Sequence, residues 1–220
     1  LDPRRTHEVK RTRGLTVDGS RSVFGMGTPV IEVRDLTKHY GATVGIDGLD
    51  LTVEAGEILS CRGPDGAGKT TTIRLLLGLI RPTRGRVRVF GMPPERRGTR
   101  RRIGYLPGDL ALDPRLTGLG TLDFLAALAG PLPSSNGERR RGELCARLGL
   151  SPRELTRPVR EYSSGTRQKL GLVAALESDP DLLVLDGPTS GLDPLVREAV
   201  FALLAEAGRA GRTVFHSSHV

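Results

Sequence analysis

Apolar and charged residues alternate over Val30-Ile31-Glu32-Val33-Arg34, and again where Leu49, Leu51 and Val53 are separated by Asp50 and Thr52. A period of two marks a strand with one wet face. Arg86-Val87-Arg88-Val89-Phe90 repeats the pattern. Glu57-Ile58-Leu59-Ser60-Cys61 and Ile103-Gly104-Tyr105-Leu106 read as shorter strands, the second ended by Pro107-Gly108. Leu182-Leu183-Val184-Leu185 is apolar throughout, as a parallel strand covered on both faces is. From Asp109 the period becomes helical. Leu119, Leu122, Leu125 and Leu128 fall three apart, and the run Pro131-Leu132-Pro133-Ser134-Ser135 breaks it. A helix over about 138–148 carries Leu144 and Leu148 on one side and Arg139, Arg140 and Arg141 on the other. Ser151-Pro152-Arg153-Glu154 has the cap serine, first-turn proline and reciprocal glutamate of a capping box. A further helix follows over 166–176. Together these elements predict an α/β chain with an antiparallel β subdomain and a helical lobe inserted at about 109–165.

Between the strand at 57–61 and the apolar helix that begins near Thr72 lies Gly63-Pro64-Asp65-Gly66-Ala67-Gly68-Lys69-Thr70-Thr71, which satisfies G-x-x-x-x-G-K-[ST] at every fixed position. Glycines at such spacing let successive backbone N–H groups turn inward as a cradle for phosphate oxygens. In that reading Lys69 reaches the β- and γ-phosphates, the Thr70 hydroxyl meets Mg²⁺, and the helix directs its positive dipole end at the anion. Asp186, at the C-terminal end of the apolar 182–185 strand, stands on the edge where α/β sheets bind ligands, and is read as the carboxylate that holds the metal. Tyr40, ahead of the loop, is read either as an aromatic that stacks on adenine or as a cap on the sheet edge.

Composition adds bounds. A chain of 220 residues, 37% hydrophobic and 26% charged, suits one domain with an inserted lobe, and no apolar run approaches the roughly 18 residues of a membrane span. The formal charge is +8, and from Arg81 to Arg102 nine arginines face a single acid, Glu95. Such a stretch reads as a solvated face, or as a surface for nucleic acid, acidic lipid or an acidic partner. Cys61 and Cys145 show no metal-ligand spacing and read as reduced, structural thiols of a reducing cytoplasm. Residues 1–28, with six Lys or Arg against three acids, are expected to be a disordered basic extension. The folded domain is expected over 29–220.

In order, these motifs resemble the nucleotide-binding subunit of ATP-binding cassette (ABC) transporters, from about Val30 to Val220. Tyr40 is similar to the family's adenine-stacking aromatic. Tyr162-Ser163-Ser164-Gly165-Thr166-Arg167-Gln168 resembles its signature motif in an exporter-like form, Ser190-Gly191-Leu192-Asp193 the loop that contacts a partner subunit, and His219 the switch histidine that senses the γ-phosphate. The resemblance implies a P-loop NTPase core and ATP with Mg²⁺ as ligands. It implies catalytic roles for Lys69, Asp186 and His219, and nucleotide contacts from Tyr40, Gly63, Asp65, Gly66, Ala67, Gly68, Lys69, Thr70 and Thr71. Ser163 and Gly165 would meet the γ-phosphate bound by a second ATP-binding subunit, paired head to tail. The other implied partner is a membrane-spanning permease that docks on the helical lobe, which places the chain in the cytoplasm at the inner face of the membrane. No nucleic-acid partner is expected.

The sequence departs from the family at three places. Gly187 stands where a water-polarising Glu is usual, and Gly108 where a Gln is. The chain also ends one residue past His219, which predicts a truncated fold with an uncovered last strand. Gly187 raises the expectation of slow turnover, with Asp109 or Asp193 as candidate substitute carboxylates. The rival readings are a degenerate, regulatory ATP-binding subunit and a soluble cassette ATPase.

Overall fold

The computed structural model describes residues 15–20, 29–129 and 137–218. The break run predicted at 131–135 and the candidate His219 lie outside the described residues.

Among the described residues eight strands form two sheets. β2 (Ile31–Tyr40), β3 (Thr43–Val53) and β5 (Arg84–Val89) make the antiparallel sheet, in the order β3-β2-β5. Its wet face carries the alternating charged residues, with Arg34 opposite Arg86 and Glu32 opposite Arg88. The second sheet, in the order β1-β4-β8-β7-β6, is built from β1 (Thr16–Ser20), β4 (Ile58–Arg62), β6 (Ile103–Leu106), β7 (Leu182–Leu185) and β8 (Thr213–Ser218). Its last four strands are parallel. Helix α1 (Lys69–Leu76) connects β4 to the antiparallel sheet, and the single turn α2 (Arg97–Arg100) precedes β6.

Between β6 and β7 comes the helical lobe, with α3 (Gly118–Ala129), α4 (Gly137–Arg147), α5 (Pro152–Leu155) and a 3-10 turn at Val159–Glu161. The capping box at Ser151 and Glu154 is present with both reciprocal bonds. Helix α6 (Ser164–Leu176) then leads back to the sheet, packing on β6, α3 and α4.

The apolar run of β7 is buried on both sides, as its composition predicts. Leu182 and Val184 share one core with Leu59, Cys61, Ile73, Leu76 and Phe215, while Leu183 and Leu185 face a second with Leu122, Leu148, Leu170 and Val173. Both cysteines are free and buried, and burial pushes the Cys61 thiol up to about 12, which makes it inert.

Two expectations are corrected. The disorder expected over 1–28 fails at Leu15 to Ser20, of which Thr16 to Ser20 pair antiparallel with β4, Thr16 opposite Arg62 and Ser20 opposite Ile58. Leu15 and Val17 alternate with polar neighbours and enter the first core, so a short segment buries enough to offset its ordering cost. The last strand is not uncovered either. β8 lies between β4 and β7 with Val214 and Phe215 fully buried, and α7 (Pro194–Arg209) packs against it. That helix went unread in the sequence, although Asp193-Pro194 starts it and Val196, Val200, Leu203 and Leu204 line its inner face.

Candidate nucleotide-binding site

Parallel register collects the site at one edge. Arg62 pairs with Ser218, Leu185 with His216 and Leu106 with Leu185, so the residues that follow β4, β6 and β7 emerge beside one another at the C-terminal edge of the sheet. These are the Gly63 loop, Pro107 to Asp109, and Asp186 to Ser190.

The loop closes on α1 through Gly68, the N-cap residue, at φ 95° and ψ 9°. A Cβ there would lie 2.5 Å from the Gly45 carbonyl oxygen, a backbone atom that cannot yield, so only glycine fits. Lys69 is 6% exposed, and its Nζ donates to the carbonyls of Gly63 at 2.6 Å and Pro64 at 2.9 Å. The ammonium is thereby held inside the loop, 3.9 Å from the exposed carboxylate of Asp65. Ala67 is buried beneath the turn.

Next to the loop, Thr70 Oγ1 donates to Asp186 Oδ2 at 2.7 Å, and Ser217 Oγ donates to Asp186 Oδ1 at 2.7 Å. Ser217 in turn accepts from the Gly187 N–H at 2.8 Å, and Gln168 Nε2 donates to the Gly187 carbonyl at 2.9 Å. The Asp186 carboxylate, 6% exposed, is therefore fixed from both sides. Ser217 was missed by sequence reading. Nothing local marks it, because its role comes from β8 lying beside β7.

A hydroxyl and a carboxylate held together at the mouth of a phosphate-type loop are the hard oxygen donors that suit Mg²⁺, an ion bound through one or two protein oxygens together with substrate phosphates. Among the described residues no group of three or more His, Cys, Asp or Glu is placed to hold a metal ion.

Tyr40, 46% exposed, ends β2 on the rim of the loop. A Cβ built on Gly45 would touch both Tyr40 Cε2, at 3.0 Å, and Thr71 Cγ2, at 3.4 Å, so ring and loop helix flank the same glycine. Lys38 Nζ sits 5.2 Å over the ring.

Ser163 and Gly165 lie elsewhere. Ser163 caps α6, its Oγ accepting from the Thr166 N–H at 3.0 Å, and a Cβ on Gly165 would meet the Gly191 carbonyl at 2.9 Å. Among the described residues neither makes a hydrogen bond to the phosphate loop. The start of α6 and the Ser190 to Asp193 loop instead form one joint surface. Asp193 is occupied as the cap of α7, its Oδ1 accepting from Val196 N–H at 3.0 Å, so it is no substitute carboxylate.

The family model for the ABC transporter matches residues 46–190, more than half of the chain. The chain belongs to the ABC transporter family. Among curated relatives of this ABC chain, a Nod factor export ATP-binding protein I of Cupriavidus pinatubonensis is 40% identical over 194 residues, covering 87% of this chain and 59% of its own length. The daunorubicin/doxorubicin resistance ATP-binding protein DrrA of Streptomyces peucetius is 40% identical over 189 residues, covering 85% and 57%. The chain thus spans less than two thirds of the length of these relatives. Among solved structures, the dimeric post-hydrolysis state of the ATP-binding cassette MJ0796 bound to ADP and Pi superposes with a TM-score of 0.77 at 25% identity, covering 86% of this chain and 88% of that one. The mixed α/β architecture is that of the family's P-loop NTPase domain.

Proposed function

We propose that this chain is the ATP-binding and ATP-hydrolysing subunit of an exporter, working at the cytoplasmic face of a membrane with a membrane-spanning permease and a second ATP-binding subunit. The observation that carries this reading is the Thr70–Asp186 pair set at the mouth of the Gly63 to Thr71 loop. Inward-facing loop N–H groups and the positive end of α1 bind the phosphates. Lys69 exchanges its contacts with the Gly63 and Pro64 carbonyls for contacts with the β- and γ-phosphates. Thr70 and Asp186 hold Mg²⁺, which when bound neutralises charge on the β- and γ-phosphates.

Tyr40 stacks on adenine from the rim. The capped N-terminus of α6, with Ser163 and Gly165, meets the γ-phosphate bound by a second subunit, in a site completed across two subunits. The transport role is supported by the export and resistance names of the relatives, and the pairing by the dimeric cassette. No helix among the described residues is long and apolar enough to cross a membrane.

The test is phosphate release from Mg-ATP by the full chain and by Lys69→Ala. Release that disappears with Lys69 supports the reading, and release equal in the two proteins removes it.

A further inference from the structure

The strand ends at the nucleotide edge enclose a cavity of about 350 Å³, lined by Thr70, Arg74, Tyr105, Asp109, Asp186 and Ser190 together with two glycines, Gly108 and Gly187. Gly187 brings no side chain into this space. At Gly108 the backbone runs so close to Asp186 that a Cβ would sit 3.0 Å from its Oδ2, which delivers the following residue, Asp109, to the cavity wall.

Two carboxylates therefore face the same space in different conditions. Both oxygens of Asp186 are committed, one to Thr70 and one to Ser217. Asp109 is exposed and makes no hydrogen bond or ion pair with a described residue. The same cavity is lined by Arg74, one helical turn beyond Thr70 on α1, and by Tyr105 on β6. Neither offers a basic site, because a guanidinium has no acceptor and a phenol is a weak base at neutral pH. Ser190 is an alcohol and as weak. Of the groups lining the cavity, one base is left uncommitted.

We propose that Asp109 is the general base for ATP hydrolysis in this chain, an inference that rests on the ATPase reading above. A water oxygen in the cavity attacks the γ-phosphorus. The bond from that phosphorus to the β,γ-bridging oxygen breaks, and the bridging oxygen leaves with the electron pair as part of ADP. The water proton passes to the Asp109 carboxylate and then to solvent, which the exposure of Asp109 permits, and inorganic phosphate remains.

The experiment is single-turnover phosphate release by the full chain, wild type against Asp109→Asn and Asp109→Ala, with binding of a fluorescent ATP analogue measured on each and formate added to the alanine variant. Expected are unchanged analogue affinity, a rate lower by roughly 10²-fold, as loss of a general base gives, and partial recovery of the alanine variant by formate, a small diffusible carboxylate. Variants as fast as wild type overturn the role of Asp109 and leave the ATPase reading standing. A slow variant that formate does not rescue, or one that has lost affinity, shows a residue that only shapes the loop, and overturns it as well. A wild-type chain that binds the analogue but releases no phosphate overturns the hydrolysis reading itself, and the base with it.

Discussion

Thr70 and Asp186 stand 116 positions apart in the chain and are joined by a 2.7 Å hydrogen bond from Oγ1 to Oδ2. It ties the first turn of α1 to the end of β7, with Ser217 completing the tie from β8. Asp186→Ala strands the buried Ser217 hydroxyl, whereas the exposed Thr70 hydroxyl turns to water. One unsatisfied buried group costs about 1–3 kcal/mol, so the urea midpoint is expected to fall. Asp186→Asn keeps one acceptor and loses less stability. In both variants Mg²⁺ is expected to stop strengthening ATP binding, because the anionic ligand is gone. Unfolding curves and ATP titrations with and without Mg²⁺ check the two effects separately.

Gly68→Ala places a methyl group against the Gly45 carbonyl in a left-handed backbone. A fair control is Gly211→Ala, which also has a positive φ, 83°, but has nothing within 4 Å of the added carbon. The control is expected to lose about 1 kcal/mol from its backbone conformation alone. Gly68→Ala is expected to lose more than the control and to lose ATP binding, as measured by thermal melts and a fluorescent nucleotide titration. Equal losses in the two, with binding intact, would remove the steric argument.

Gly187 has φ 62°, and a Cβ there would come within 2.8 Å of Ser190 Oγ. Restoring the family's usual residue is thus not free. Gly187→Glu is expected to cost about 1–2 kcal/mol from left-handed strain plus the contact with Ser190. Pairing it with Ser190→Ala should recover only the contact part. Melting temperatures of the single and double variants separate the two contributions.

Arg141 links α4 to the end of α6, with Nε donating to the buried Glu177 at 2.8 Å and Nη1 pairing with Asp123. Burial raises the pKa of Glu177, and Arg141 opposes that rise. Removing the arginine leaves a buried carboxylate without its partner, which costs about 3–5 kcal/mol when such a pair is broken. In Arg141→Ala the Glu177 pKa rises further, so the folded state takes up a proton at higher pH than the unfolded chain does. Stability from this group is then complete below the unfolded pKa and lost as pH rises through the folded one. The deficit against wild type is expected to be largest near pH 7.5 and smaller near pH 5, read from urea midpoints at the two values.

Much of this was legible in the residues because local pattern and local chemistry coincide. The alternation at 30–34 and 86–90, the apolar run at 182–185 and the capping box at 151–154 each carry their signal within a few positions. So does the phosphate loop, whose fixed glycines are required by backbone geometry such as that at Gly68. What escaped depends on neighbours distant in sequence. Ser217 matters because β8 lies beside β7, and Leu15 to Ser20 form a strand because β4 has an open edge with an apolar face. Asp193 looked like a spare carboxylate and is the cap of α7. Asp109 looked equivalent to it, and only the cavity beside Asp186 tells the two apart.

Equilibrium titration of the full chain with ATP, in the presence and absence of Mg²⁺ and alongside Asp186→Asn, tests the nucleotide site most directly. The expected result is saturable binding that Mg²⁺ strengthens in the wild type and does not strengthen in the variant. Binding that is absent, or that responds to Mg²⁺ equally in both proteins, would contradict a site built from the Gly63 to Thr71 loop, Thr70 and Asp186.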